Sequence, residues 1–286
     1  MKIIKPEVQF FGEVPTEYNA ALKFIEMAGR TCYKSEDKIT PLSASGFVRK
    51  LIKAGHLAMV EHSNFVVRIP LPEVPKLFAI NTGKFLNHLV DEKYIYVGGN
   101  LTAWFQRAII EGPAEIFEPF CEIYAELFGH DITEIGESNW EICPHDEIPK
   151  ELHRYAAKFI CDRGVSHELV RHRPCSFAQE STRYVNYAGK DMEFIAPDEY
   201  DSFTLEQLYL FDRMCVTSEN FYNKMIRLGQ TPQQARALLI NALKTEIVVT
   251  ADAAEWAHIR KLRTAKSAHP DMQRVMNMMP WDSFLA

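Results

Sequence analysis

Residues 171–181 read RHRPCSFAQES and bring together the side chains best suited to chemistry. Two arginines flank His172, and seven residues separate the second arginine from Ser181. Arginine presents a planar fork of donors that fits a phosphate group or a carbonyl edge in two-point contact. Cys175 and Ser181 are candidate nucleophiles. This stretch, the RHR segment, therefore predicts either a covalent enzyme or an anion-binding surface.

The covalent alternative is the weaker one, because a nucleophile needs a base to activate it. Arg173 could lower the pKa of the Cys175 thiol. However, cysteine is among the residues most often buried, and no Cys–His signature surrounds Cys175. Ser181 is better explained as a hydrogen-bond donor to a phosphate or a base.

The two arginines could also be ordinary helix-terminal cations that complete the helix dipole and pair with acids. Their neighbourhood favours a ligand instead. Residues 151–190 contain seven Lys/Arg and four Asp/Glu, although the whole chain has a net charge of −6. Gln179, Thr182 and Arg183 add further donors close by.

The 286 residues are 47% hydrophobic and 24% charged, which is typical of a globular protein with a large core. Residues 71–150 contain fourteen Asp/Glu and five Lys/Arg, so we interpret them as an acidic, mostly helical insertion into a single domain spanning 1–286. The negative net charge argues against nucleic-acid binding. No apolar run reaches the roughly 18 residues of a membrane helix, and the first residues lack the apolar region of a signal peptide. We expect a cytoplasmic protein that is not bound to a membrane.

The sequence predicts no metal site. Six cysteines are scattered without a C-x-x-C pair, which argues against a zinc site and against a disulfide scaffold. GHLAMVEH at 55–62 carries two histidines and a glutamate, but it lacks the H-E-x-x-H spacing of zinc proteases.

Hydrophobic spacing and capping residues predict the elements that must position the RHR segment. We expect helices at 16–33 (capped by Thr16), 43–56, 101–111, 114–128, 165–173, 203–229 and 252–263. Strands are expected at 64–69, 153–162, 192–197 and 244–252. The absence of a strict βαβ rhythm favours an α+β fold, with a mixed or antiparallel sheet packed against long helices.

Two of these helices have informative faces. The longest one has an apolar stripe that consists of Leu205, Leu208, Phe211, Met214, Cys215, Phe221 and Met225. In the helix at 252–263, Asp252 and Arg263 share one face, and His258 lies on an adjacent row. On these residues alone, Arg263 is explained as a cation at the helix C-terminus and His258 as a surface group.

RHR, seven residues, Ser and then Arg183-Tyr184 form the pattern of the flavin-dependent thymidylate synthases, and this chain resembles that family. Other segments agree: GHLAMVEHSNF resembles the family's first flavin segment, SHELVRHR the helix entering the signature, and ARALLI and DAAEWAHIRKLR the C-terminal half. The resemblance covers about residues 1–70 and 150–275.

The resemblance implies the α+β fold of that family and a homotetramer whose active sites are built by several subunits. It implies that deoxyuridine monophosphate (dUMP) is methylated to thymidylate with the one-carbon unit of methylenetetrahydrofolate. FAD, reduced by NADPH, would carry the hydride, and no enzyme nucleophile would be required.

By position, the resemblance implies a catalytic role for Arg263, whose guanidinium would stabilise negative charge on the uracil ring. The residues implied to contact the cofactor are His56, Arg171, His172, Arg173, Gln179, Asp252, Ala253, Ala254 and His258. The residues implied to contact the nucleotide are Glu168, Leu169, Val170, Arg171, Gln179, Glu180, Ser181, Thr182, Arg183, Arg236 and Arg263. The phosphate is expected on Ser181 and Arg183.

Three positions depart from the family pattern. Ala58 stands where the family often has Ser or Thr, Asp252 where some members have Asn, and Ser267 where one pattern has His. A carboxylate near the flavin diphosphate would repel it unless Asp252 pairs with a donor.

Two other functions are compatible with the residues alone. A non-catalytic protein that binds nucleotides or nucleic acid could use the same cationic cluster without a flavin. A phosphohydrolase is a third alternative, although it normally requires metal ligands, which the sequence does not suggest.

Overall fold

The computed structural model describes residues 1–71, 86–105, 116–117, 120–128, 135–136 and 140–285. Within these ranges the strands are β1 (Lys2–Ile4), β2 (Glu7–Glu13), β3 (Phe65–Pro70), β4 (Leu86–Val90), β5 (Tyr94–Gly99), β6 (Ile116–Phe117), β7 (Ile135–Gly136), β8 (Glu141–Ile142), β9 (Arg154–Asp162), β10 (Ser176–Gln179), β11 (Glu193–Ile195) and β12 (Lys244–Asp252). The helices are α1 (Tyr18–Tyr33), α2 (Ser43–Lys53), α3 (Leu57–Val60), α4 (Cys121–Phe128), α5 (Arg163–Leu169), α6 (Leu205–Arg227), α7 (Pro232–Ala235), α8 (Ala253–Arg263) and α9 (Pro270–Met276). This combination of helices with mainly antiparallel strands confirms the predicted α+β class.

The sheet that carries the RHR segment has the strand order β10-β12-β9-β2, and every pairing in it is antiparallel. β9 and β12 are its long central strands and pair along their whole length. Both are almost entirely buried, because both faces of the sheet are covered. Trp256 of α8 and Met272 of α9 pack on one face, whereas Ala178 and Val248 share the core of α1 and α2 on the other.

A second sheet, β4-β5-β3-β8, takes three of its strands from the acidic segment 71–150. The expectation of a mostly helical insertion is therefore incomplete. α4 lies inside the helix predicted at 114–128, but the hairpin β4–β5 extends β3 as a sheet. Asp91 closes the hairpin by accepting the backbone N–H groups of Lys93 and Tyr94, a turn role typical of aspartate. Part of the helix predicted at 101–111 lies outside the described residues.

The long helix α6 begins with a capping box between Thr204 and Gln207. Its fully buried residues are Cys215, Ser218 and Tyr222. The predicted apolar stripe is wrong in part, because several of its members face solvent. The exposed apolar side chains of α6 and its C-terminal cap are Leu205, Tyr209, Leu210, Met214, Phe221 and Leu228. Neither α6 nor any other helix in the described ranges has the apolar length of a bilayer span.

Thr16 is not the cap of α1. The helix begins at Tyr18, and its N-cap residue Glu17 makes no side-chain capping bond. The hydroxyl of Thr16 instead lies 3.2 Å from Nδ1 of His145. A long-range contact has therefore replaced the local one that the sequence suggested.

Candidate active site

The chain leaves strand β9 and reaches the RHR segment through α5. Asp162, the last residue of β9, caps this helix by accepting the backbone N–H of Val165 at 2.9 Å. The chain then turns tightly, with the His172 N–H donating to the Leu169 carbonyl at 3.1 Å. This turn buries His172 while the arginines on either side of it are exposed.

The helix α8 brings the second half of the site. Asp252, at the end of β12, caps it by accepting the N–H of Glu255 at 2.8 Å. Trp256 and Ile259 anchor α8 on the sheet, and the Trp256 indole donates to the Tyr155 carbonyl. This anchoring fixes the last turn of α8, which carries Arg263, beside α5.

Arg263 joins the two helices through three hydrogen bonds. Its Nε donates to His172 Nε2 at 3.0 Å, Nη1 donates to Glu168 Oε2 at 2.6 Å, and Nη2 donates to the Glu168 carbonyl at 3.0 Å. On its other side, His172 Nδ1 lies 3.2 Å from Glu255 Oε1, and the His258 ring lies edge-on to that of His172. We call Glu168, His172, Glu255, His258 and Arg263 the Arg263 cluster.

His172 is held neutral in this cluster. Burial, together with the positive charge of Arg263 and the neighbouring His258, lowers the pKa of His172 to about 4. The contacts fix the tautomer: Nε2 accepts from the guanidinium, so Nδ1 carries the proton that it donates to Glu255. The cluster thus presents a guanidinium aligned by a neutral imidazole, which suits it to stabilise a developing anion.

The end of the RHR segment is fixed to α1 and α7. The Ser181 N–H donates to the Cys32 carbonyl at 3.0 Å, and the Ser181 hydroxyl accepts the Arg183 N–H at 3.3 Å. The exposed guanidinium of Arg183 donates through Nε to Gln233 of α7 at 3.2 Å. A half-buried serine next to an exposed arginine can bind a phosphate at this surface.

Four residues expected to contact the nucleotide have side chains committed elsewhere. Leu169 lies in the core and Thr182 is buried. Gln179 Nε2 donates to Ser166 at 2.8 Å and to Thr245 at 3.2 Å. Glu180 is buried and accepts the Tyr187 hydroxyl at 2.7 Å. For Leu169 only the backbone could reach a ligand, because its apolar side chain is needed inside.

Glu180 belongs to a buried charge network centred on Glu246 of β12. Glu246 forms ion pairs with Lys34 at 2.6 Å, Lys244 at 2.8 Å and Lys158 at 3.4 Å. Burial opposes the ionisation of Glu246, but hydrogen bonds from Lys244 and Lys34 outweigh it and lower its pKa to about 2. Lys244 also lies 3.7 Å from Glu180. We call these residues the Glu246 network. Through Glu180, the network holds the C-terminal end of the RHR segment.

His56 lies in a small group of rings rather than in the Arg263 cluster. Its Nδ1 is 2.5 Å from the Tyr33 hydroxyl, and the ring of Tyr184 lies near both. The guanidinium of Arg183 lies over the Tyr184 ring, 5.6 Å from its centre. This exposed aromatic surface beside Ser181 can stack a planar ligand.

The remaining expected residues are exposed or carry small side chains. Val170 is half-buried against the core. Ala253, Ala254 and Ala58 have methyl side chains that cannot form hydrogen bonds. Ala254 and Ala58 are exposed. Arg236 is exposed in the short turn after α7. Of these, only Arg236 offers a charged group.

The carboxylate of Asp252 is satisfied by the protein itself. Oδ1 accepts the Glu255 N–H, and Oδ2 accepts Asn87 Nδ2 at 2.8 Å. The requirement that Asp252 pair with a donor is therefore met. Exposed Arg171 and Arg173 remain as cations for a diphosphate, so the donor set fits FAD.

The cysteines near the site are poor nucleophiles. Cys175 is 4% exposed and packs in the core on the α8 side of the sheet. Burial and the nearby Glu180 raise the pKa of the Cys32 thiol to about 11, so it stays protonated at neutral pH.

Tyr33, Glu246 and the lysines around Glu246 were not expected from the sequence. Helical spacing does place Glu255 near Asp252 and His258, but it assigns Glu255 no role. Tyr33 and the lysines come together only through strand register and helix packing. The described residues also contain two groups of two histidines and one glutamate, His172/Glu255/His258 and Glu13/His145/His153.

Comparison with known proteins found a matching family and similar sequences. Residues 145–281 match the family described as "Thymidylate synthase complementing protein". A flavin-dependent thymidylate synthase of Geobacter sulfurreducens is 34% identical over 37% of this chain and 45% of the relative. One from Mycolicibacterium vanbaalenii is 24% identical over 96% of this chain and 80% of the relative. The matched parts span about half the length of the first of these relatives.

A solved structure of a UMP/dUMP methylase, PolB from Streptomyces cacaoi bound with 5-Br dUMP, aligns over 99% of this chain and 93% of that chain. The identity is 14% and the TM-score 0.46, so this likeness carries no argument about ligands.

Proposed function

We propose that this chain is a member of the flavin-dependent thymidylate synthase family, to which its relatives belong, and that it methylates dUMP to thymidylate. Methylenetetrahydrofolate donates the one-carbon unit in this proposal, and NADPH reduces the bound FAD. The proposal extends to a homotetramer, the assembly that the resemblance implies.

One observation carries the proposal: Arg263 Nε donates to His172 at 3.0 Å, although 91 residues separate them. The RHR segment and the C-terminal helix, whose motifs match the family separately, therefore meet in one cluster. A cation at the end of a surface helix would not need a buried, neutral histidine as its partner.

The role proposed for Arg263 follows from its setting. Its planar guanidinium is held by Glu168 on one edge and by His172 on another, so its orientation is fixed. A fixed cation that faces the pyrimidine would stabilise negative charge on the ring without reorganising during the reaction. Because His172 is neutral, it orients the guanidinium of Arg263 without repelling it.

The phosphate of dUMP would bind at Ser181 and Arg183, where the Ser181 hydroxyl lies 3.3 Å from the Arg183 backbone nitrogen and the Arg183 guanidinium is exposed. The adjacent rings of His56 and Tyr184 would stack the planar part of the folate. Arg236, exposed after α7, would add a second cation for the nucleotide.

FAD would be held by Arg171, Arg173, His172 and His258, with Ala253, Ala254 and Asp252 lining the same helix start. Bound FAD supplies the hydride that converts the transferred methylene into a methyl group. The protein does not need to donate a nucleophile, which agrees with the burial of Cys175 and the protonated state of Cys32.

The exposed apolar face of α6 supports the proposed assembly. Leu210, Met214 and Phe221 of this 23-residue helix and its C-cap residue Leu228 are all more than half exposed. Contiguous apolar surface of this kind is typical of a protein interface. Sedimentation of the purified protein would test this part of the proposal.

The visible absorbance spectrum of the purified protein, before and after reconstitution with FAD, tests the proposed cofactor. We expect flavin absorbance that shifts when dUMP is added and bleaches with NADPH. Protein that stays colourless after reconstitution would contradict the proposal and favour a nucleotide-binding protein without a flavin.

A further inference from the structure

Three side chains from separate parts of the chain meet at the edge of the central sheet. They are Glu13 at the end of β2, His145 in a short 3₁₀ turn and His153 just before β9. His153 Nδ1 lies 3.0 Å from Glu13 Oε2, and His145 Nε2 lies 3.4 Å from the same oxygen. We call these three residues the Glu13 cluster.

These separations match those between ligands of one metal ion. Two ligand atoms that each lie about 2.0–2.1 Å from a tetrahedral Zn²⁺ are roughly 3.3 Å apart. The three ligand atoms of the Glu13 cluster all lie within 4.8 Å of one another. The His145 side chain is 47% exposed, so its Nε2 is accessible to an ion from solvent.

The opposite nitrogen of each histidine is already occupied. His153 Nε2 lies 3.2 Å from the Ile148 carbonyl, and His145 Nδ1 lies 3.2 Å from the hydroxyl of buried Thr16. Metal-binding histidines are typically oriented by such a bond on the nitrogen that does not bind the metal. The Tyr155 hydroxyl, in turn, bonds to Glu13.

The bond to Ile148 also determines which way the His153 lone pair points. A carbonyl only accepts, so Nε2 must carry the proton. In the neutral ring, Nδ1 then faces the Glu13 carboxylate with a lone pair, which is repulsive without an intervening cation. A metal ion between these two atoms would be bound by both lone pairs.

The Glu13 cluster is also on a rigid base. The register of β2 and β9 places Glu13 opposite Tyr155, and the next residue, Val14, donates its N–H to the Arg154 carbonyl at 2.8 Å. The His153 side chain is only 12% exposed. A site of this kind on strand ends holds its ligands more precisely than a loop does.

The second group of histidines provides a contrast. In the Arg263 cluster, His172 Nε2 accepts from a guanidinium and Nδ1 donates to Glu255. Metal binding there would displace a proton beside a fixed cation, which is unfavourable. In the Glu13 cluster, the imidazole nitrogens contact a carboxylate, a hydroxyl and a carbonyl oxygen.

We propose that Glu13, His145 and His153 bind one divalent transition-metal ion, Zn²⁺ in the first place, that fastens the 3₁₀ turn to the end of β2. Two imidazoles and a carboxylate are a common protein ligand set for Zn²⁺ and leave one position for water. This inference is independent of the proposed function, since none of the three residues belongs to the nucleotide or flavin site.

The test is calorimetric titration of ZnCl₂ into the full-length protein after removal of metals with a chelator. We expect one Zn²⁺ per chain, and a visible spectrum typical of four-coordinate Co²⁺ when cobalt replaces zinc. His145→Ala and Glu13→Gln should each weaken Zn²⁺ binding at least about tenfold, since each removes one of three ligands.

Two variants serve as controls. His88→Ala removes an exposed histidine on β4 and should leave Zn²⁺ binding unchanged. His258→Ala tests the Arg263 cluster and should also leave it unchanged. Zn²⁺ should raise the unfolding temperature of the wild-type protein but not that of His145→Ala, a change at an exposed position that should not prevent folding.

The proposal is overturned if the wild-type protein does not bind Zn²⁺, because the cluster would then be only an ion pair. It is also overturned if His145→Ala and Glu13→Gln bind Zn²⁺ as the wild-type protein does, or if His258→Ala alone abolishes binding.

Discussion

The two ends of β12 carry charged clusters of opposite design. At its start, Glu246 is surrounded by three lysines, and every strong charge has a partner of the other sign. At its end, beyond Asp252, Arg263 is paired with a partly exposed Glu168 and with a histidine that is kept neutral. The first cluster is a network of opposite charges that holds structure, whereas the second orients one guanidinium with a partly exposed carboxylate and a neutral imidazole, an arrangement that suits a ligand site.

Both pKa values are lowered, but the two shifts favour opposite charge states, a charged carboxylate and a neutral imidazole. Lysine partners keep Glu246 charged despite burial, and its pKa falls to about 2. Burial and a neighbouring cation keep His172 uncharged, and its pKa falls to about 4. The lowered pKa of Glu246 reflects ion pairs that stabilise the folded protein. The lowered pKa of His172 means that the folded protein loses stability on acidification, as is common for groups at functional sites.

Removing Arg263 should give the largest effect. We expect Arg263→Ala to lower kcat/KM for dUMP methylation about 10²–10³-fold or more, because a fixed charge facing the reacting ring is lost. The protein should remain folded and retain flavin. Arg260→Ala, on the same helix but paired with exposed Asp282, is the matched control and should keep near-wild-type activity. Equal losses in both variants would mean that α8 is only structural.

Glu246→Gln should lower the free energy of unfolding by about 3 kcal/mol, because it removes the buried carboxylate that pairs with three partly buried lysines. Glu36→Gln, which removes a 3.5 Å partner of Lys34 at a more exposed position, should change it by less than about 1 kcal/mol. Denaturant unfolding would measure both. If the two variants were equally stable, the Glu246 network would contribute no more than a surface ion pair.

The pH dependence of stability should separate the two ends. The folded pKa of Glu246 lies below its unfolded value of 4.5, so its contribution is present above pH 4.5 and is lost as the pH falls towards about 2. The folded pKa of His172 lies below its unfolded value of 6.5, so protonation of the unfolded state destabilises the protein as the pH falls from 6.5 to about 4.

His172→Gln should therefore remove up to about 3 kcal/mol of pH-dependent stability loss between pH 6.5 and 4. The comparison of wild-type and variant unfolding isolates His172 from buried His62, whose pKa burial and nearby Arg154 also lower. His167→Gln, an exposed change on α5, should leave the slope unaltered. An unchanged slope in His172→Gln would indicate that His172 titrates normally.

Tyr33→Phe should have a smaller effect. Loss of the bond to His56 Nδ1 frees that ring, and a single hydrogen bond contributes about 0.5–1.5 kcal/mol. We expect a rise of about 2–10-fold in KM for methylenetetrahydrofolate with kcat nearly unchanged. A fall in kcat alone would place His56 in the chemistry rather than in binding.

Cys175→Ala should have the smallest effect on catalysis. The thiol is buried on the α8 side of the sheet, so activity per bound flavin should stay within about twofold of wild type, as expected when no covalent bond to the enzyme forms. Complete loss of activity in a folded, flavin-loaded variant would restore the covalent hypothesis for the RHR segment.

Local signals were sufficient for much of the framework. Asp162 and Asp252 end strands and cap helices, and the apolar runs of β9 and β12 are recognisable in the sequence. The hairpin β4–β5 was missed because the acidic composition of 71–150 was interpreted as helical. Its turn depends on the single residue Asp91.

Long-range register accounts for what the sequence could not predict. Glu246 meets Lys34 and Lys158 only because β12 pairs with β9 and packs against α1. Glu13 and His153 meet through the pairing of β2 with β9. Arg263 was identified by resemblance, but its bond to His172 depends on how α8 and α5 leave the same sheet.

The most direct test of the account is the detection of product. FAD-loaded protein is incubated with dUMP, methylenetetrahydrofolate and NADPH, and the nucleotides are analysed by mass spectrometry. We predict thymidylate in excess over protein, dependent on every component and absent with Arg263→Ala. Flavin-loaded wild-type protein that forms no thymidylate would contradict the assignment of the Arg263 cluster as the reacting site.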